Sequence, residues 1–215
     1  MKTSVMVIGL GRFGASAARE LMLLGHEVLA IDGNESIIND IAPEVTHAVQ
    51  LDAADESALR AIGAAEFDHA IVAISSGVEA SVFAVMALKS IGVKNVVAKA
   101  GSELHGKILE RVGADRVVFA EREMGERTAH SFAVRDVVDY LDIAPRFGIV
   151  KVLAPERWQG RTIAELDLAG RLELTPVTLR RGDAVTVLPS GEDRVAAGDE
   201  LILVGRDDHL EDLGR

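Results

Sequence analysis

Three glycines carry the strongest chemical signal in this chain. Gly9, Gly11 and Gly14 complete the spacing G-x-G-x-x-G directly after the apolar run Val5 to Ile8. A strand, a glycine turn and a helix in that order make an anion site. Gly9 permits a tight turn, Gly11 lets the backbone approach a pyrophosphate with no Cβ in the way, and Gly14 lets the helix pack closely on the strand. The helix that follows would point its unpaired N–H groups and the positive end of its dipole at the phosphates. A second run, Glu27 to Ile31, ends at Asp32, which lies 18 residues after Gly14 and 23 after Gly9. A carboxylate there suits ribose hydroxyls and disfavours a 2′-phosphate, so NADP is not expected. Strand, turn, helix, second strand and terminal acid all fall in register. That favours a nucleotide-binding Rossmann unit over a glycine turn that serves packing alone.

The elements that must hold this site follow in order. Ala17, Ala18, Leu21, Leu24 and Gly25 recur at helical spacing and give the first helix one face for a sheet. Ser36 to Ala42 reads as a short helix stopped before Pro43, His47 to Leu51 as a third strand ending at Asp52, and Glu56 to Ile62 as a brief helix. His69 to Ile74 is a fourth strand, Ser81 to Ile91 a helix closed by Gly92, and Asn95 to Lys99 a fifth strand. Leu104 to Val112 is a helix closed by Gly113, and Arg116 to Phe119 a sixth strand. Strands alternating with helices specify an α/β fold with a doubly wound parallel sheet, whose ligand crevice lies beyond the C-terminal ends of the strands. Asp32, Asp52, Ser75 and Lys99 stand at such ends.

Met124 to Tyr140 is expected to be helical, with Val134, Val137, Val138 and Leu141 as its apolar positions, and it leads to a boundary at Ala144-Pro145. Beyond it, Gly148 to Leu153 alternates like a strand and Thr162 to Leu168 reads as a short helix. Strand-like runs follow at Leu174 to Leu179, Ala184 to Leu188 and Glu200 to Val204. The expected domains are therefore residues 1–144, Rossmann-type with a trailing linker helix, and residues 145–215, a small α+β module. Arg181-Gly182-Asp183 spells an adhesion motif, but Gly-Asp between two strand-like runs reads as a hairpin turn.

Composition removes several function classes. Of 215 residues, 48% are hydrophobic, enough for a substantial core, and 23 basic against 34 acidic side chains give a net charge of −11. No stretch clusters Lys and Arg, so no nucleic-acid partner is expected. The absence of cysteine excludes disulfides, thiolate metal sites and a cysteine nucleophile. Met1-Lys2-Thr3 runs straight into the first strand without a signal peptide, and no segment nears the roughly 18 apolar residues of a membrane span. A soluble, cytoplasmic protein is expected, with any membrane role exercised through a partner.

Rival chemistries lack a component each. Gly101 to Lys107 spells G-x-x-x-x-G-K, but Ile108 follows and offers no hydroxyl to Mg²⁺. A short-chain dehydrogenase needs Tyr-x-x-x-Lys, whereas Tyr140 is followed four residues later by Ala144. The six histidines include no H-E-x-x-H, and no G-x-S-x-G occurs. A dinucleotide fold with no proton donor beside it points to a sensor and not an enzyme. A small NAD-dependent oxidoreductase and a redox-sensing Rossmann protein stay open as alternatives.

Taken together, Gly9-Leu10-Gly11-Arg12-Phe13-Gly14, Gly113-Ala114-Asp115-Arg116 and Glu121-Arg122-Glu123-Met124-Gly125 resemble the KtrA/TrkA family of bacterial potassium-transport regulators, over nearly the whole chain. The family pairs an N-terminal RCK domain of Rossmann type with a smaller C-terminal RCK domain. The resemblance implies a homo-oligomer of dimers assembled into a ring, an octamer, that binds ATP or ADP (NAD(H) in some members). It further implies a membrane potassium-translocating partner of the KtrB/TrkH type, which would hold the ring at the inner face of the membrane. In some relatives the C-terminal domain binds cyclic-di-AMP.

Residue by residue, the resemblance implies nucleotide contacts from Gly9, Gly11, Phe13 and Gly14. Arg12 would reach the terminal phosphate, a task suited to a guanidinium that forks two oxygens. Asp32 and Asn34 would meet the ribose, and Asp52 and Ala53 would form the adenine-side turn, although an acid at 52 also fits a helix cap. Lys99 would lie on the phosphate side, and Glu121 would meet a cation between subunits. At Ser75 the chain departs from the family, which often has glycine after the fourth strand.

Overall fold

The computed structural model describes residues 3–74, 77–133, 136–206 and 213. Contacts gather into two compact units, Met1–Glu121 and Arg122–Arg215.

In the first unit, strands β1 (Ser4–Ile8), β2 (Glu27–Asp32), β3 (His47–Gln50), β4 (His69–Val72), β5 (Asn95–Lys99) and β6 (Arg116–Val118) form one parallel sheet in the order β3-β2-β1-β4-β5-β6. Helices α1 (Arg12–Leu23), α2 (Glu35–Ile41), α3 (Glu56–Ala61), α4 (Val78–Ile91) and α5 (Glu103–Arg111) connect them. The unbroken apolar runs have a direct cause, because alternate strand residues feed opposite faces. Val5, Val7, Val28 and Ala30 pack with Ala18 of α1 and Ile38 and Ile41 of α2. Met6, Ile8, Leu29 and Ile31 share the other core with Leu59 of α3, Leu88 of α4 and Leu109 of α5. The unit is therefore the expected doubly wound sheet.

The segment Gly113 to Arg116 stitches the last strand in place. Asp115 accepts from the Val96 N–H at 2.7 Å and from Lys89 Nζ at 3.0 Å, so its side chain extends the ladder between β5 and β6. The Val96 hydrogen bond, with Lys89 adding to it, holds the Asp115 carboxyl below the usual carboxylate range.

Helix α6 (Ala120–Ala133) follows, and then a five-stranded antiparallel sheet in the order β10-β9-β11-β8-β7. Its strands are β7 (Val137–Ala144), β8 (Phe147–Leu153), β9 (Leu174–Arg181), β10 (Ala184–Val187) and β11 (Glu200–Arg206), with the short helices α7 (Ile163–Leu166) and α8 (Leu168–Leu172) inserted. The helix expected to reach Tyr140 does not do so: α6 spans Ala120–Ala133, and Val137 onward is strand. A β-bulge lies here: Val137 pairs with Val152 and Asp139 with Lys151, so Val138 is extra. Of the apolar positions expected on one helix face, Val137 is buried but Val138 and Leu141 are exposed, and Tyr140 is the strand's other buried residue. The Ala144-Pro145 step belongs to the turn between β7 and β8, inside this second sheet.

Tyr140, Trp158, Leu166, Leu168, Leu201 and Leu203 are among the buried residues of the second core. The Arg181-Gly182-Asp183 stretch is structural. Ala184 pairs with Arg181, which leaves Gly182 and Asp183 as a two-residue hairpin turn. The Arg181 guanidinium forks Asp199 at 2.8 and 2.7 Å, and that fully buried carboxylate also accepts the Ala196 N–H at 2.7 Å. Arg181 holds the Asp199 carboxyl below its ordinary range. Among the described residues no helix is long and apolar enough to cross a membrane.

Candidate nucleotide crevice

The glycine turn joins β1 to α1, and its three glycines do different work. Gly9 has φ +85°, and a Cβ there would lie 2.8 Å from the Ile74 nitrogen. A Cβ on Gly14 would lie 1.9 Å from the Gly9 carbonyl oxygen. Both are requirements of the fold. Gly11 has an ordinary φ of −63°, and a Cβ there would meet nothing within 4 Å. The space in front of Gly11 is open to a ligand.

Helix capping marks the same place. In the first unit α2 is capped by Asn34, which accepts the Ser36 N–H at 2.9 Å, and α3 by Asp55, which accepts those of Ser57 and Ala58 at 2.9 and 3.1 Å. Ser102 caps α5 by accepting the His105 N–H at 3.2 Å. Helices α1 and α4 start from Gly11 and Gly77 with no side-chain cap. They follow β1 and β4, the adjacent strands between which the strand order reverses. Uncapped first-turn N–H groups at a topological switch point are the features with which an open α/β sheet takes an anionic ligand.

Asp32 braces the turn from β2. Its Oδ2 accepts the Leu10 N–H at 2.8 Å and its Oδ1 the Asn34 N–H at 2.9 Å. Each oxygen keeps a second lone pair for a ribose hydroxyl. Gln50 Nε2 donates to the Gly33 carbonyl at 3.1 Å and steadies the same loop. Asn34 has its side-chain oxygen engaged as the α2 cap, while Asp52 accepts the Ala54 N–H at 3.0 Å in a local turn. Ala53 is buried in the core, and the cap of α3 falls to Asp55. Phe13 is half-buried and Arg12 exposed, both in the first turn of α1. Ser75 lies outside the described residues.

At the end of β5, Lys99 is buried and its Nζ donates to Glu121 Oε1 at 2.6 Å. That hydrogen bond holds the Glu121 carboxyl below the ordinary glutamate range, with a smaller contribution from the charge of Arg12. Nothing local in the sequence signals a pair 22 residues apart. A second network was equally hidden. The Gly101 N–H donates to His105 Nδ1 at 3.3 Å, which leaves Nε2–H to donate to Ser81 Oγ at 2.7 Å, and Ser81 donates on to the Val78 carbonyl at 2.8 Å. This chain ties the turn before α5 to the first turn of α4, and burial holds the imidazole below its ordinary value. The G-x-x-x-x-G-K segment is thus an ordinary capped helix start, with Lys107 exposed.

Comparison with known proteins agrees with this layout. A TrkA-N domain matches residues 5–120 and a TrkA-C domain residues 148–215. The Ktr system potassium uptake protein C of Bacillus subtilis is 38% identical over 205 residues, which cover 95% of this chain and 93% of the relative. The Ktr system potassium uptake protein A of the same organism is 35% identical over 209 residues, covering 97% and 93%. Among solved structures, the GsuK RCK domain matches with a TM-score of 0.71 at 17% identity over 100% of this chain and 47% of that one. The GsuK channel bound to NAD matches with a TM-score of 0.70 at 17% identity over 98% and 38%. This chain therefore spans less than half the length of those solved chains, and at such identities the likeness is one of fold.

Proposed function

The chain belongs to the family of proteins that join a TrkA-N domain to a TrkA-C domain, and on that premise we propose that it is the nucleotide-binding regulatory subunit of a potassium uptake system. The observation that carries the reading is the pairing of uncapped α1 and α4 N-termini at the switch point with an open space at Gly11. The ligand is ATP in exchange with ADP, with NAD(H) the next ligand to test. Gly11 and the first turn of α1 receive the phosphates, Asp32 receives the ribose, and Arg12 supplies charge for a third phosphate.

The chain acts as a switch and not as a catalyst. It assembles as a ring of dimers, an octamer, at the inner face of the membrane, and it moves a potassium-translocating partner of the KtrB/TrkH type between conducting states. Nucleotide can do this only by binding two assembly shapes with different affinity, since equal affinity would shift neither. Within one chain Glu121 faces an ammonium, and no group of three His, Asp or Glu suited to a metal lies among the described residues. A cation there would need ligands from a second copy.

Calorimetry of the purified chain with ATP, ADP, NAD⁺, NADH and cyclic-di-AMP tests the reading. Adenine nucleotide should bind the native chain and fail to bind Gly11→Val. Absence of binding by every nucleotide in the panel would remove it.

A further inference from the structure

Lys99 and Glu121 form an ion pair of unequal members. The Lys99 side chain is 7% exposed and that of Glu121 70%, with 2.6 Å between nitrogen and oxygen. A buried ammonium is costly without a counter-charge, whereas a carboxylate on the rim loses little by returning to water. Lys99 therefore needs an anion, and Glu121 does not need Lys99. Arg12, in the first turn of α1, also acts on the Glu121 carboxylate through its charge. The pair stands at the end of β5, on the edge of the sheet where the uncapped helix N-termini open.

We propose that Glu121 is an intramolecular stand-in for the terminal phosphate of a nucleoside polyphosphate. It neutralises Lys99 in this structure, and a phosphate chain long enough to reach Lys99 takes its place and releases it. This rests on the nucleotide reading above and adds a rule of selectivity. By this rule a nucleoside monophosphate leaves the pair closed. Release matters because Glu121 stands in the first turn of α6, the last residue of the first unit, so exchange of partners at Lys99 frees the start of the segment that leads onward to the second sheet.

The test is calorimetry and thermal melting of the full chain in EDTA, which removes divalent cations, with ATP and with AMP. Glu121→Gln deletes the competing charge. It should bind ATP on the order of tenfold more tightly than the native chain and AMP equally well. Without ligand it should melt lower than the native chain, and saturating ATP should close that gap. Glu121→Asp keeps the charge but withdraws it by one methylene, so it should show a smaller gain in the same direction, and it stands in if the Gln variant does not fold. Lys99→Met should lose most of the preference for ATP over AMP. Native-like or weaker ATP binding by both Glu121 variants, with normal binding by the native chain, would overturn the stand-in role alone. Failure of the native chain to bind ATP or AMP would overturn the nucleotide reading and this proposal with it.

Discussion

The Asp32 carboxylate at the end of β2 accepts the Leu10 N–H of the glycine turn at 2.8 Å, across 22 residues of sequence. The acid expected to hold ribose is therefore also a brace for the turn that receives the phosphates. Asp32→Ala should lower both nucleotide affinity and stability. The stability loss should be about 1–3 kcal/mol, because two backbone donors lose their acceptor. Asp32→Asn keeps acceptor capacity and should recover part of the stability. Melting curves that are native for the Ala variant would show that the brace contributes nothing.

Gly11 and Gly14 should separate function from folding. Gly11→Val adds a side chain into open space, so its stability should change by less than about 1 kcal/mol while nucleotide binding is lost. Gly14→Ala drives a Cβ to 1.9 Å from a backbone oxygen and should cost about 3 kcal/mol or more. Denaturant unfolding and calorimetry on the two variants check the contrast. Equal destabilisation would mean that the turn is packed uniformly.

The same contrast shows what could be read from the sequence. The parallel sheet was legible because strands buried on both faces are written as unbroken apolar runs, such as Val5 to Ile8, and each glycine or proline stop fell between them. The start of β7 was not. Its apolar residues Val137, Val138 and Leu141 fall at helical spacing, although Val138 and Leu141 are exposed in the strand, and only pairing with β8 decides the matter. In the crevice, Gly9, Gly14 and Asp32 were legible as types at a spacing, while the use of Asp32 on Leu10, of Asp55 in place of Asp52 as the α3 cap, and of Lys99 on Glu121 depends on contacts the sequence does not order. The missing side-chain cap of α1 was legible, since a glycine occupies that position.

Arg12 should distinguish ATP from ADP. A charge-assisted contact to a third phosphate is worth about 1.5–3 kcal/mol and is largely absent in ADP. Arg12→Ala should therefore weaken ATP at least about tenfold more than ADP, measured by competition calorimetry. Equal losses for both nucleotides would assign Arg12 to general attraction of anions.

His105 should make the first unit sensitive to acid. Its Nδ1 faces the Gly101 N–H, so a second proton on the ring would set donor against donor, and burial lowers the folded-state value below the ordinary 6.5. Below 6.5 the unfolded chain binds the proton that the folded chain refuses, so stability present above that value is lost as pH falls towards the depressed folded value. His105→Gln removes the titration. Melting temperatures at pH 7.5, 6.5 and 5.5 should fall less steeply in the variant than in the native chain, and parallel curves would contradict the buried neutral imidazole.

Potassium flux into liposomes that hold a potassium-translocating subunit of the KtrB/TrkH type measures the regulatory function itself. With the chain added, flux should differ between ATP and ADP by several-fold, and both Gly11→Val and omission of the chain should abolish the difference. Flux that is the same with ATP, with ADP and without the chain, alongside NADH oxidation by the purified protein, would contradict a regulatory role and return the fold to an oxidoreductase.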